Sequence, residues 1–372
     1  MTRLRRPTLA RLANLAAFEL DRRLGPLLRR GPADYSLGLA NLYRLEAHLA
    51  LTFSRLGTVH YPPGLLRHLG TYLDPRSYRQ VLRRSRASVG PSTVRFVDET
   101  TPDPDRGRTL RVSDDYYGPD MPPGAAHYPY TMHPWVYSLG RHRRVDRRRA
   151  APRRHRLFFA GVVNPGYAER LDFPIMPRPA VVECVRDTFR AESCVVTGRA
   201  DLAALRRTDR PIVLILFGGA VTPMASDHVL GRRHYSRLLA RSEFALCPPG
   251  VFMPHSHNLV EALAVGTIPV LNYPDFCRPP LTPGADCLAF RTPEDLIAAV
   301  RHALAAPPAE IRAMRAAATA LYDAEFSPAA AARNLGPWLA GHDFGPGSAP
   351  LILNREFPTA QAWSRARSRR PG

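Results

Sequence analysis

The chain has 372 residues, enough for two ordinary domains, and its 45% hydrophobic content excludes a mostly disordered protein. Its 52 basic residues exceed its 32 acidic ones by 20, and all 52 are arginine. Electrostatics alone does not exclude lysine, so part of this charge reflects coding bias toward Arg, Ala and Pro rather than adaptation to a polyanion.

No apolar run reaches the roughly 18 to 20 residues that a spanning helix requires. The start has a basic beginning but an apolar patch soon broken by Glu19 and Asp21, a poor secretory signal. Five cysteines without a CxxC pair form neither a disulfide framework nor a zinc ribbon. The expectation is a cytoplasmic protein.

In chain order, residues 1–90 are rich in Leu and Arg. Leu12, Ala16 and Leu20, then Leu39, Leu42, Leu45 and Leu49, fall at helical spacing, so this stretch reads as a helical region. It holds 16 Arg against 5 acids. Such a basic face suits peripheral contact with an anionic membrane surface, or a helical layer with its arginines in solvent. From Ser92 the texture turns to strands at Thr93–Asp98 and Thr109–Ser113, then to the aromatic stretch His127–Tyr137. Residues 141–156 carry nine Arg and one Asp, a solvated linker by composition. This remainder, 91–152, closes the first half.

Residues 153–344 alternate strand and helix. Strands are expected at Arg156–Val163, Cys194–Gly198, Pro211–Phe217, Phe244–Pro248, Thr267–Tyr273 and Cys287–Phe290. Helices are expected at Ala180–Ala191, Tyr235–Arg241, Asn258–Val265 and Pro293–Leu304. The unbroken run Pro211–Phe217 suits a strand buried on both faces of a parallel sheet. The whole reads as a doubly wound α/β domain. The Pro/Arg-rich tail, 345–372, reads as loose, with Trp363 as an anchor.

Chemistry concentrates in residues 244–271, a strand, a Pro/Gly loop, a polar cluster, a helix, a glycine and a strand. A loop at the carboxyl end of a parallel strand is where ligands bind in such sheets. The helix it opens offers unpaired N–H groups and partial positive charge, suited to phosphate. Pro248 begins the loop expected to bind the ligand, Gly250 permits close backbone approach, and Ser256, His257 and Asn258 add donors. Glu261, one turn later, is badly placed for phosphate but suited to vicinal ribose hydroxyls. A nucleoside diphosphate therefore fits better than a bare phosphate.

This segment resembles the donor-binding region of GT-B glycosyltransferases, most closely the exostosin family. The resemblance rests on Cys247, Pro248, Gly250, Glu261, Ala262, Leu263, Gly266, Ile268, Pro269 and Val270, with Leu157–Gly161 similar to the strand that opens that family's nucleotide-sugar half. It covers roughly residues 156–305. It implies a GT-B-like α/β fold of two Rossmann-like halves, the N-terminal one smaller and more helical. It also implies transfer of a sugar from a nucleotide diphosphate sugar to a glycan or other hydroxyl acceptor, without a metal or other cofactor. Where exostosins place an Arg three residues before the Glu, this chain has Asn258, so a phosphate charge partner must come from elsewhere.

The remaining candidates follow from that reading. Gly161 lets backbone approach the donor, and Arg278 could neutralise a diphosphate. A base for the acceptor hydroxyl must come from the first half, where His133 is the first choice and Asp115, beside Asp114, the second. Asp103-x-Asp105 sits in a proline-punctuated loop and reads as a turn. A nucleic-acid or other polyanion binder without catalysis is the competing class. Against it, residues 242–300 hold two Arg and six acids, and no zinc-finger, RNP or KH signature occurs.

Overall fold

The computed structural model describes residues 16, 35–36, 45–61, 69–86, 92–98, 108–113, 121–166, 173–198, 201, 205, 207–217, 232–251, 253–345 and 347–354. The chain divides into two compact units, residues 1–143 with 325–372, and residues 144–324. Each is built on a parallel sheet flanked by helices, which is the α/β architecture of two Rossmann-like halves.

Among the described residues the first unit carries seven strands: β1 (Tyr35–Ser36), β2 (Val59–His60), β3 (Ser85–Arg86), β4 (Val94–Asp98), β5 (Thr109–Ser113), β6 (Ala126–His127) and β13 (Leu351–Ile352). Their order is β3-β2-β1-β4-β5-β13-β6, and every pairing is parallel. Helices α1 (Glu46–Leu56), α2 (Pro75–Arg83), α3 (Pro134–Ser138) and α10 (Pro328–Ala340) belong to it.

Three expectations need correcting here. The stretch 1–90 is not a purely helical region, because it contributes β1, β2 and β3. Strands of two residues are too short to show an alternating pattern. Leu12, Leu20, Leu39 and Leu42, which carried much of the helical spacing, lie outside the described residues. The tail is not loose throughout, because Leu351 and Ile352 are fully buried between β5 and β6. Two buried apolar residues satisfied on both sides by parallel ladders outweigh a Pro/Arg-rich composition. Trp363 lies outside the described residues. With 325–372 recruited, the first unit is also no smaller in chain length than the second.

The second unit carries β7 (His155–Val162), β8 (Ser193–Val196), β9 (Ile212–Phe217), β10 (Ser242–Leu246), β11 (Ile268–Leu271) and β12 (Leu288–Ala289). Its helices are α4 (Val145–Arg149), α5 (Arg178–Thr188), α6 (Arg232–Leu239), α7 (His257–Val265), α8 (Pro293–Ala305) and α9 (Pro308–Leu321). The order β12-β11-β10-β7-β9-β8 is parallel throughout. β9 is buried along nearly all its length, as its unbroken apolar run requires. Leu157, Phe159, Val182, Leu214, Leu246 and Val270 form the centre of the core, with α5 and α8 packed over it.

The boundary between the two units falls inside the Arg-rich segment 141–156, with Arg144, Arg147 and Arg154 exposed, but other arginines of the segment are bonded rather than merely solvated. Arg143 pairs with Asp74 at 2.7 Å within the first unit. Arg149 grips Asp323 with two bonds of 2.7 and 2.8 Å and donates Nε to the Ala264 carbonyl. Arg153 donates to the carbonyls of Ser242 and Val265 and to Thr267 Oγ1. Burial pushes its guanidinium down to about 10, with Arg315 adding repulsion. These arginines satisfy strand and helix ends that would otherwise bury bare carbonyls, which costs about 1–3 kcal/mol each. They clamp the start of β10 and the end of α7, fixing the frame of the loop between them.

Candidate functional site

In the second unit the chain passes from β7 to the edge strand β8, returns to β9 beside β7, and then crosses to β10 on β7's other side. The strand order therefore reverses between β7 and β10, and a crevice forms at the carboxyl ends of such a pair. Phe244 is level with Leu157 and Ala245 with Phe158. Continuing that register brings Cys247 and Pro248 level with Ala160 and Gly161. Sheet topology thus places the loop 248–256 and Gly161 at one switch point.

The loop is held by its own backbone. Cys247 N donates to Val270 O at 2.8 Å, and Gly250 N to Pro254 O at 3.2 Å. A Cβ at Gly250 would stand 2.6 Å from the His255 carbonyl and 2.8 Å from that of Met253. The missing side chain of Gly250 therefore makes room for the loop itself. Gly250→Ala should force the loop open and cost about 1–3 kcal/mol of stability through overpacking. Thermal melts of this variant against wild type check this. An unchanged melting temperature would refute the packing account.

Ser256 is the N-cap of α7, extended at φ −125° and ψ 138°, and Leu259 N donates to its carbonyl at 3.0 Å. The helix ends at Gly266, whose φ of +68° is left-handed and favours glycine. A Cβ there would also press on Thr319 and Arg315. Between these caps, His257 is half-buried while Asn258 and Glu261 are buried.

Glu261 is only 4% exposed, and its Oε1 lies 3.0 Å from His257 Nδ1, one helical turn before it. Asn258 Oδ1 accepts from the Tyr235 hydroxyl of α6 at 3.1 Å. His257 and Asn258 are thereby engaged within the site: one orients Glu261, the other anchors α6 to α7.

The residue that sequence reasoning missed is Arg178. It opens α5, is 7% exposed, and donates Nε to the Pro249 carbonyl at 3.0 Å and Nη2 to Ser256 Oγ at 3.3 Å. One guanidinium so ties the start of the loop to its end. A Cβ at Gly161 would lie 3.6 Å from Arg178 Nη1, so the β7 end and this cation are neighbours. A signal existed. A cation in the first turn of a helix opposes the macrodipole, and a Pro-Arg-Pro start to a helix therefore asks for another reason.

The charges converge on the end of β10. Burial pushes the Cys247 thiol well above its usual value, with Arg178 opposing and Glu261 reinforcing the rise. Burial likewise raises Tyr235, again with Glu261 reinforcing and Arg178 opposing. A buried cation and a buried carboxylate therefore flank the base of the loop.

The remaining expected site residues make bonds of their own or lie outside the described residues. Arg278 donates to the carbonyls of Asp275 and Cys277, so it is held on its own loop after β11. In the first unit His133 caps α3, its Nδ1 accepting from Trp135 N at 3.3 Å. Asp115, Asp114, Asp103 and Asp105 lie outside the described residues. Among the described residues no three His, Cys, Asp or Glu side chains are grouped to hold a metal ion, and no helix is long and apolar enough to cross a membrane.

Residues 202–336, just over a third of the chain, match a family described as glycosyl transferase-like. No curated protein matches the sequence significantly. Three solved structures align with much of the chain. An α,α-trehalose-phosphate synthase (UDP-forming) from Burkholderia xenovorans aligns with 88% of this chain and 78% of its own, at 15% identity and a TM-score of 0.36. AviGT4, a glycosyltransferase involved in avilamycin A biosynthesis, aligns with 82% of this chain and 90% of its own, at 15% identity and a TM-score of 0.40. A glycosyltransferase from Rickettsia africae ESF-5 aligns with 89% of this chain and 94% of its own, at 11% identity and a TM-score of 0.34. The loop 248–256, α7 and β11 all lie within the segment that matches the glycosyl transferase-like family.

Proposed function

We propose that this protein transfers a sugar from a nucleotide diphosphate sugar to a glycan or other hydroxyl acceptor. The observation that carries the reading is Glu261, a buried carboxylate one turn into the helix that opens at the switch point. A carboxylate there repels phosphate but accepts hydrogen bonds from the two hydroxyls of a ribose, which are strengthened by its charge. The diphosphate then rests on the loop 248–256 and the first N–H groups of α7. The cation that Asn258 does not supply comes from Arg178, at the base of the same loop. Within this class the donor region is of the exostosin type, on the strength of Cys247-Pro248-x-Gly250 and Glu261-Ala262-Leu263.

The reaction breaks the bond between the anomeric carbon and the diphosphate oxygen and forms one to the acceptor oxygen, whose proton goes to a base. Negative charge develops on the leaving diphosphate, and fixed positive potential aimed at it lowers the barrier. Arg178 and the α7 N-terminus supply that potential without a divalent metal. His133 is the first candidate for the base and Asp115 the second.

The test is calorimetry with a panel of nucleoside diphosphates and their sugars. Glu261→Gln should bind about 10- to 150-fold more weakly, or roughly 1.5–3 kcal/mol, the value of hydrogen bonds to a buried charged group. No binding by wild type, or equal binding by the variant, removes the assignment. Turnover of the donor so identified should persist in excess EDTA. Loss of activity restored by manganese would overturn the metal-free step and direct attention to Asp103 and Asp105.

A further inference from the structure

The first unit holds a cavity of about 650 Å³ between α1 and α2, remote in sequence from every residue assigned above. Arg55 comes from the last turn of α1. Arg76, Arg79 and Arg83 follow at spacings of three and four on α2, hence on one face, and Arg84 is its C-cap. Ser54 and Gln80 complete the lining with uncharged hydrogen-bonding groups. Among the described residues the cavity thus gathers five guanidinium groups and no carboxylate.

Neutralisation by the described residues does not account for it. Among the described residues no acid pairs with any of the five arginines, and Asp74, at the start of α2, is bonded to Arg143 and Ser77. Arg55 and Arg79 instead donate to helix carbonyls, those of Leu51 and Pro75, which fixes their stems without cancelling charge. Helix-dipole stabilisation explains cations at C-terminal ends, so it covers Arg55, Arg83 and Arg84. It does not cover Arg79 in mid-helix. It runs against Arg76, in the first turn of α2.

The place in the fold separates this cavity from catalysis. α1 runs into β2 and α2 into β3, so Ser54, Arg55, Arg83 and Arg84 stand toward the amino edge of a parallel sheet. Substrates of open α/β sheets bind at the carboxyl edge.

We propose that this cavity is a binding site for a small, soluble, multiply phosphorylated anion. Its volume is that of a small-molecule site. Guanidinium forks match phosphate oxygens two at a time, and five of them suit several phosphate groups rather than one carboxylate. The proposal is independent of the glycosyl-transfer reading.

The experiment is calorimetric titration of the full chain with inorganic tripolyphosphate at ~50 mM salt, where screening is weak. Wild type should bind one equivalent saturably and melt at higher temperature when loaded. Arg79→Glu with Arg83→Glu, both exposed, should weaken binding by at least about tenfold, and the Lys pair should fall between, since it keeps charge but loses the fork. Arg301→Glu with Arg312→Glu, an equal charge change on exposed faces of α8 and α9, should leave binding nearly unchanged. Loss of binding in this control to the same degree would show generic attraction and overturn the site. So would the absence of saturable binding by a wild type that melts normally. Binding to phosphatidylglycerol vesicles but not to tripolyphosphate would likewise overturn it, in favour of a lipid-facing surface.

Discussion

Acidification from pH 6.5 to about 3 should remove roughly 4 kcal/mol of stability from the first unit through His48 alone, at about 1.36 kcal/mol per unit of pKa shift. The imidazole is fully buried on α1, and burial lowers its pKa from 6.5 to about 3, the Phe326 carbonyl partly opposing. That carbonyl can only accept, so Nε2 carries the hydrogen, at 2.9 Å, and Nδ1 is left to accept from the Tyr128 hydroxyl. The sign follows directly. Between pH 6.5 and 3 the unfolded chain binds a proton at this residue and the folded chain does not, so stability falls as pH falls and is fully restored above pH 6.5. His142, lowered to about 4 chiefly by burial, acts in the same direction. Urea midpoints of wild type and His48→Gln across this range provide the measurement. The variant should start less stable at pH 7 and lose less on acidification. Parallel curves would show that His48 is not the group responsible.

Arg178→Ala should be the most damaging single change at the loop. It removes a charged donor from the Pro249 carbonyl and from Ser256 Oγ together. Hydrogen bonds to a charged group contribute about 1.5–3 kcal/mol each, and the Pro249 acceptor would be left without its partner. The second unit should therefore melt earlier, and nucleotide affinity should drop by at least about tenfold, because the loop loses both its tie and its cation. Arg178→Lys keeps the charge but cannot span two acceptors in a fixed fork, so it should recover part of the affinity and little of the stability. Lost stability with unchanged nucleotide binding would leave Arg178 a structural tie alone and remove it from the diphosphate site.

Both expectations depend on residues that the sequence does not single out. Arg178 is one of 52 arginines, and although its Pro-Arg-Pro setting asks for a reason, nothing local names the partners it finds, whereas Arg186 eight residues later pairs with Asp187 beside it. The same holds for Arg149 and Arg153 inside a run whose composition reads as solvated. Burial of an arginine depends on which carbonyls and carboxylates packing brings to it. For Arg153 those lie 89 to 114 residues away in the chain.

What the sequence by itself determined is the second unit's strand–helix alternation and the strand–loop–helix–strand segment 242–271. These are written in local terms: an unbroken apolar run for β9, polar residues opening α7, and a left-handed glycine closing it. Such signals act within a few residues, where backbone sterics and hydrophobic period leave little choice. Only the tertiary structure decided that Leu351–Ile352 enters the first sheet, that two-residue strands extend it, and that Gly250 serves its own loop. It alone also brought Arg178 to that loop and gathered five arginines into one cavity. Each of these rests on contacts between distant segments, whose free energy is gained only when both partners are buried together.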